Sequence, residues 1–208
     1  MPRAPFPLSR RVFLLAGTGA RLAASQASDQ DFWNTKPPAE WSTGDKYRLA
    51  NHSPWANPVQ SWPRSSINRP GARADVSWPP PLEWGPKGVI TWESAGPLRD
   101  ALKTPLPRVF TNCYVIGVDG IPLENSRYPE LRGTTVLRSK GKARWTAKAS
   151  VVRQLIRNSV VYAFGFSRAA APIDADTEEI DFQSQFGRWM VQTKFKPKEM
   201  LYHGELAI

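Results

Sequence analysis

Cysteine and histidine, which supply most metal ligands and many catalytic groups, are scarce in this sequence. Among its 208 residues there are one cysteine, Cys113, and two histidines, His52 and His203. One cysteine cannot form an internal disulfide, and its apolar neighbours predict a buried, inert thiol. Two histidines cannot build a three-histidine metal site, so neither a metal nor a cofactor is predicted.

The motifs of the common enzyme classes are also missing. The chain has no Gly-x-Ser-x-Gly elbow, no His-Glu-x-x-His helix and no phosphate-binding loop. Glycoside hydrolysis needs only two carboxyl groups about 5–10 Å apart, and Glu83 and Glu93, each beside a tryptophan, are the pair to test. Surface carboxylates without a catalytic role are the simpler interpretation, so no catalytic residue is assigned.

Long apolar runs are lacking as well. The apolar stretch at residues 12–24 is interrupted by Gly17, Gly19 and Arg21. A membrane-spanning helix needs ~20 apolar residues, so this stretch is too short to cross a bilayer. A short apolar segment between a basic start and small residues is typical of a cleavable export signal.

Two adjacent arginines stand at the head of this stretch. Arg10 and Arg11 are followed by Phe13 and Leu14, which is the pattern of a twin-arginine export signal. Small residues ending at Ala27 predict cleavage there, so residues 1–27 are a signal peptide read by the twin-arginine export machinery. The predicted location of the mature chain is periplasmic or extracellular, with no integral membrane segment after cleavage.

Residues 14–21 also have a competing interpretation, as a glycine-rich dinucleotide loop. Such a loop works only between a buried strand and a helix whose N-terminus faces the pyrophosphate. Here Arg10 and Arg11 occupy the place where the strand would begin, and three prolines precede them. The export interpretation is therefore favoured.

The chain carries an excess of basic residues. Its formal net charge is +10, and removal of residues 1–27 takes away four arginines and no acidic residue, which leaves +6. A basic run around Trp145 can follow a phosphate backbone, and its members are Lys140, Lys142, Arg144, Lys148, Arg153 and Arg157. Nucleic acid is therefore the alternative partner if the chain is not exported. For an exported chain, a solvated face or attraction to an anionic envelope surface is favoured.

The composition changes near residue 108. Residues 28–108 hold thirteen of the twenty prolines and seven of the nine tryptophans. Because proline fixes its backbone angle and lacks an N–H donor, this density predicts an irregular region without long helices or central strands. Two short helices are expected there, one from Thr43 to Ala50 behind a Ser42 cap and one beginning at Ser94 with Pro97 in its first turn.

Residues 109–208 show the period-two alternation of strands with one wet face. We expect an α+β fold in which the Trp/Pro-rich region packs on a mostly antiparallel C-terminal sheet, with residues 28–208 as one domain. Gly187 predicts a tight hairpin. Strands are expected at residues 109–118, 161–166, 180–186, 189–196 and 202–208, and a helix at 150–158, where the pattern also suits a strand.

Four strings in the chain have a familiar order. They are residues 31–41 (DFWNTKPPAEW), 53–56 (SPWA), 92–102 (WESAGPLRDAL) and 194–206 (KFKPKEMLYHGEL). Together they resemble a family of uncharacterised exported bacterial proteins. The resemblance spans nearly the whole mature chain and implies export and one shared architecture, but it assigns no catalytic residue. No cysteine lies near residue 27, so a lipid anchor is not expected.

The acidic string at residues 174–179 resembles the opening of a calcium loop. The glycine of the sharp turn and the terminal bidentate Glu of such a loop are both missing. A polar turn leading into a strand at Ile180 is therefore expected.

The tryptophans of the N-terminal region have two interpretations. A large ring buried in the core can hold an irregular segment in place. The functional interpretation is an exposed aromatic platform for an envelope glycan or protein partner, formed by the proline-flanked Trp62, Trp78 and Trp84, since rigid flanks lower the ordering cost of binding. The sequence thus predicts a non-enzymatic binding or interaction module of the cell envelope, with a hydrolase of envelope polysaccharide as the alternative.

Overall fold

The computed structural model describes residues 31–64, 84–103, 105–123, 131–139, 144–154 and 160–208. No helix in these ranges has both the length and the apolar character that a membrane crossing requires. The residues assigned to the export signal all lie outside the described ranges: Arg10, Arg11, Phe13, Leu14 and the cleavage residue Ala27.

The two helices predicted near the N-terminus are present. The described helices are α1 (Phe32–Thr35), α2 (Thr43–Asn51), α3 (Gly96–Leu102) and α4 (Leu131–Thr134). At the start of α2, Ser42 Oγ accepts a hydrogen bond from the Asp45 N–H (3.0 Å), and Asp45 Oδ2 accepts one from the Ser42 N–H (3.1 Å). This reciprocal capping box confirms the predicted start. Helix α3 has proline in its first turn, as expected, but Ala95 rather than Ser94 precedes its first residue.

The strands of the described residues form two five-stranded sheets and a separate hairpin, and every pairing is antiparallel. The first sheet has the order β1-β3-β4-β8-β7, the second the order β2-β10-β9-β5-β6, and β11 pairs with β12. The α+β class with a mostly antiparallel C-terminal region is therefore confirmed. The strand bounds are β1 (Ala56–Gln60), β2 (Trp62–Pro63), β3 (Lys87–Trp92), β4 (Cys113–Asp119), β5 (Val136–Ser139), β6 (Arg144–Thr146), β7 (Ala149–Gln154), β8 (Val160–Ser167), β9 (Ile180–Phe186), β10 (Trp189–Phe195), β11 (Leu201–Tyr202) and β12 (Glu205–Leu206).

The two sheets are joined at both edges by corners. Ser61 separates β1, at the edge of the first sheet, from β2, at the edge of the second. At the opposite edges, Ala147 and Lys148 separate β6 from β7. The Ala147 N–H donates to Thr135 O beside β5 (3.2 Å), and the Lys148 N–H donates to Gly165 O of β8 (2.8 Å). Strands that switch sheets in this way turn the pair of sheets into a flattened barrel.

Aromatic side chains fill the space between the sheets. Phe164 of β8 meets Phe182 and Phe186 of β9 at ring-centroid distances of 6.3 and 6.2 Å. Trp92 of β3 meets the edge of Phe195 of β10 at 5.1 Å. These rings belong to one connected hydrophobic cluster, so burial of apolar surface between the sheets stabilises the barrel.

Tryptophans of the N-terminal region belong to the same cluster. Trp33, Trp41, Trp55 and Trp92 are all buried. Trp33 meets the edge of Trp55 at 5.4 Å, and Trp55 Nε1 donates to Ala207 O at 2.6 Å. For these four residues the core interpretation is confirmed, because their rings hold the N-terminal segment against the barrel.

The N-terminal region contains more regular structure than predicted. It contributes β1, β2 and β3, and β3 lies between β1 and β4 in the first sheet. The prediction that this region has no central strand was wrong, because the prolines lie around Lys87–Trp92 and not inside it. Pro58 does occur in β1, but β1 is an edge strand, where the missing N–H removes no sheet hydrogen bond.

The helix predicted at residues 150–158 is a strand over its described part. Residues 149–154 form β7, with Val151 opposite Ala163 and Val152 opposite Tyr162 of β8. Branching at Cβ favours the pleated conformation, and β8 supplies the partner that a periodicity argument cannot see. Residues 155–159 lie outside the described ranges.

The single strand predicted at residues 202–208 is instead a hairpin. Leu201 pairs with Leu206, and Tyr202 pairs with Glu205. His203 and Gly204 have positive φ values of 52° and 84°, as a two-residue type I′ turn requires. The prediction was wrong because the short turn His203-Gly204 was not recognised.

The remaining strand predictions hold in most respects, but the strand predicted from residue 109 begins only at Cys113, and Arg108–Phe110 form a short 3-10 helix instead. β4 is central and buried along nearly its whole length, β9 alternates buried and half-buried residues, and Gly187 opens the turn between β9 and β10 with a φ of 60°. β8 differs, because both of its faces are buried instead of one. Phe110 covers part of its outer face, close above Gly165.

Candidate functional site

A groove lies where β1 and β10 diverge. β2 pairs with β10 through Trp62 opposite Met190 and Pro63 opposite Trp189. On the N-terminal side of Ser61, β1 is not paired with β10. It pairs with β3, along the edge of β1 that faces away from β10. The Asn57 Nδ2 of β1 donates to Lys194 O of β10 at 3.0 Å and so bridges the two strands farther along. We call this space the seam groove.

Two cavities lie side by side along the seam groove. Their volumes are about 520 and 660 Å³, and both are lined by Asn57, Pro58 and Lys194. Both volumes lie within the range of small-molecule sites, about 300–1,000 Å³. The smaller cavity also touches Trp62, Gln192 and Thr193. The larger one reaches the N-terminal helices, where its lining includes Phe32, Trp33, Arg48, His52, Lys196 and Glu199.

Two of the three tryptophans of the predicted aromatic platform lie within the described residues. Trp62 is half-buried and lines the smaller cavity, and Trp84 is 57 % exposed. The Gly85 N–H donates to Ser61 O at 3.0 Å, so the residues next to Trp62 and Trp84 are hydrogen-bonded to each other. Trp78 lies outside the described residues, and the three-tryptophan platform stays a prediction.

Carboxylates on the neighbouring strand hold the polar side chains of β10 in place. Gln192 Nε2 donates to Asp181 Oδ1 at 2.7 Å, and Lys194 Nζ lies 2.7 Å from Glu179 Oε1. The hydrogen bond and charge of Glu179 raise the pKa of Lys194 above its usual value. The lysine therefore stays charged at neutral pH, and its charge is compensated locally.

The opposite end of the seam groove is built from ion pairs. Arg48 of α2 donates to Asp45 Oδ1 at 2.8 Å, and its guanidinium lies 5.3 Å from the centre of the Phe32 ring. Lys196 Nζ lies 2.9 Å from Glu199 Oε1. The basic side chains at this end thus have acidic partners within the protein.

Asp45 is the buried carboxylate behind this end. Burial alone would raise its pKa, but hydrogen bonds from Arg48 and Ser42, with Lys36 nearby, lower the pKa to about 2. The carboxylate is therefore ionised at physiological pH and fixes the start of α2.

The carboxylates considered for hydrolysis are not brought together by the described structure. Glu93 is 5 % exposed and lies against Gly117 of β4, so it is not a surface carboxylate, and Glu83 lies outside the described residues. Among the described residues, no three His, Cys, Asp or Glu side chains come close enough to hold a metal ion.

The other sequence candidates have structural positions. The Cys113 thiol is buried, as predicted. Asp174 and Thr177 form a hydrogen-bonded turn, with Thr177 Oγ1 donating to Asp174 Oδ1 at 2.7 Å, which confirms the expected polar turn before β9. Of the basic run, Arg144 and Lys148 are exposed, while Lys140 and Lys142 lie outside the described ranges.

Sequence reasoning missed most of the residues that line the seam groove. Gln192 and Lys194 stood out only as polar positions of a strand, and Asn57 did not stand out at all. Pro58, directly after Asn57, indicated an edge strand, because proline inside a sheet is confined to edges. Nothing local indicated that β10 would lie beside that edge.

Comparison with known proteins supplies no identity for this chain. No family model matches it, and no curated protein or solved structure matches it either.

Proposed function

We propose that this chain is an exported protein of the cell envelope that binds a partner in the seam groove without transforming it. The observation that carries the binding role is the pair of adjoining cavities along β1 and β10, which share three lining residues. The export role is supported by the Arg10-Arg11 signal pattern and the resemblance to exported proteins.

At its centre, the seam groove favours binding over covalent chemistry. Its centre holds an amide, a proline ring and a lysine that is already paired with Glu179. None of these is a nucleophile next to a base, which covalent catalysis requires. Side chains that are fixed before the partner arrives lower the ordering cost of binding.

Cell fractionation tests the export part of the proposal. The mass of the chain is measured in each fraction for the wild type and for the double variant Arg10→Lys/Arg11→Lys. We expect the wild type outside the inner membrane and trimmed near Ala27, and the variant inside and untrimmed. Full-length wild type in the cytoplasm would overturn export and make nucleic acid the leading partner.

Cosedimentation with isolated cell envelopes tests the binding part. We expect the purified full chain to sediment with envelopes, and substitutions in the seam groove to release it. The supernatant is assayed for new reducing ends. Their appearance only with active wild-type chain would overturn the non-enzymatic role in favour of the hydrolase alternative.

A further inference from the structure

We propose that the Trp62 end of the seam groove is a binding site for a neutral glycan, with the indole against a sugar ring and the amides of Asn57 and Gln192 on its hydroxyls. This inference rests on the proposed binding function and names its ligand class.

The polar groups at this end match hydroxyls. Each side-chain amide carries two N–H donors and an acceptor oxygen. Among the described residues, Asn57 uses one donor on Lys194 O and Gln192 uses one on Asp181 Oδ1. A sugar hydroxyl both donates and accepts, so it pairs with the remaining donors and carbonyl oxygens of the same amides.

The apolar groups at this end are flat and rigid. Trp62 is half-buried, Pro58 is exposed, and both line the smaller cavity. Pairing opposite Met190 places the Trp62 side chain on the face of β10 that also carries Gln192 and Lys194. An aromatic ring offers a large contact area at low entropic cost, and this suits the C–H face of a pyranose.

The local charge favours a neutral ligand. Lys194 is the charged residue among the six that line the smaller cavity, and Glu179 compensates it at 2.7 Å. A polyanion would have to compete with this ion pair for the ammonium group. The lining of the smaller cavity therefore carries one cation, and that cation has an acidic partner.

The site is long, open and fixed in place. From Gln192 to Lys196 the cavity lining follows β10 and the residue after it for roughly 13 Å at a rise of ~3.3 Å per residue. More than one sugar ring fits along this length, whereas a deep pocket for a single small molecule is lacking in the described part of the groove. The bonds from Asp181 on β9 and from Glu179 just before it orient Gln192 and Lys194 in advance.

A glycan array followed by titration calorimetry tests the proposal with the purified full chain. The array carries neutral and sulfated oligosaccharides, and the strongest neutral hexasaccharide is titrated at low and at high NaCl. We expect a neutral glycan to bind with a Kd that salt does not change, since no charge pairing is lost on screening. We expect Trp62→Ala and Gln192→Leu each to weaken binding about tenfold, or about 1.4 kcal/mol.

Gln185→Leu is the matched control. Gln185 lies on the same outer face, on β9, and its amide donates to Gly187 O at 2.9 Å away from the cavity lining. We expect this variant to bind like the wild type. Thermal unfolding is followed for every variant. If Trp62→Ala does not fold, the Kd of Gln192→Leu is compared with that of Gln185→Leu to test the site.

Three results would overturn the proposal. Binding only of sulfated glycans, with a Kd that rises with salt, would mean a charged ligand. Equal loss in Gln192→Leu and Gln185→Leu would place the site elsewhere. Failure of every neutral glycan while the chain still sediments with envelopes would refute the ligand class alone, whereas failure of both experiments would refute the binding function itself.

Discussion

Trp55 and Trp62 stand at the two ends of β1 and have opposite surroundings. Trp55 is fully buried, meets the edge of Trp33 and donates a hydrogen bond to the C-terminal segment at Ala207. Trp62 follows the corner at Ser61, is half-buried and lines an open cavity. One proline-rich segment thus supplies both core and binding surface, and a corner between the sheets separates the two roles.

The largest expected effect is on the free energy of unfolding when the buried Trp55 is replaced. Trp55→Ala should lower the free energy of unfolding by about 3–5 kcal/mol, because it leaves a cavity in a packed aromatic cluster. Trp84→Ala, at a ring that is 57 % exposed, should change it by no more than about 0.5 kcal/mol. Denaturant unfolding measures both, and equal losses would contradict the division into core and surface tryptophans.

A smaller effect concerns the start of α2 beside the seam groove. Ser42→Ala should cost about 1 kcal/mol, since the Ser42 hydroxyl caps the helix. The pKa of Asp45 lies near 2 instead of its ordinary 3.8, so its contribution is complete above about pH 4 and is lost as the pH falls towards 2.

Unfolding curves between neutral and acid pH measure this contribution. Asp45→Asn should lower stability at neutral pH and flatten the acid dependence. An unchanged acid slope in that variant would show that other carboxylates govern acid unfolding.

The smallest effect concerns the hairpin of β11 and β12, whose Tyr202 ring contacts Trp41. The Tyr202 hydroxyl donates to Asp100 Oδ2 at 2.9 Å, and burial together with this carboxylate raises the pKa of Tyr202 to about 12. Its contribution is complete below the ordinary pKa of 10.0 and is lost as the pH rises through about 12. Tyr202→Phe should cost about 0.5 kcal/mol, because the hydrogen bond that it removes is exposed.

Ultraviolet absorbance follows the ionisation of the tyrosines directly. In Tyr202→Phe the absorbance step near pH 12 should shrink by one tyrosine, while Tyr162, whose pKa burial also raises, still ionises above its ordinary value. Burial and the Asp100 carboxylate are the two causes given for the raised pKa of Tyr202. If Asp100→Asn leaves the tyrosine titration unchanged, the carboxylate does not contribute to the raised pKa.

Local chemistry made much of the fold predictable. The capping box of Ser42 and Asp45, the hairpin at Gly187 and the alternation of β9 all depend on residues close in sequence. The missed turn at His203-Gly204 was local, but two other errors fall where a distant partner decides. β7 is a strand because β8 lies beside it, and β3 is central because β1 and β4 flank it.

The candidate site was less predictable than the fold. Trp62 stood out from its flanking proline, but Asn57 and Gln192 are ordinary polar residues in sequence. They become neighbours only because β10 pairs with β2 and then lies beside β1. A sequence separation this large leaves no periodic signal for a local argument to detect.

The sequence by itself determined the capped helix α2, the strand alternation and the class of fold, because each follows from the backbone preferences and polarity of nearby residues. Tertiary structure alone decided which tryptophans are buried and where the seam groove opens. Both depend on the corner at Ser61 and on the pairing of β2 with β10. The physical reason is that burial and cavity shape belong to packed strands, and neither exists until distant segments of the chain have met.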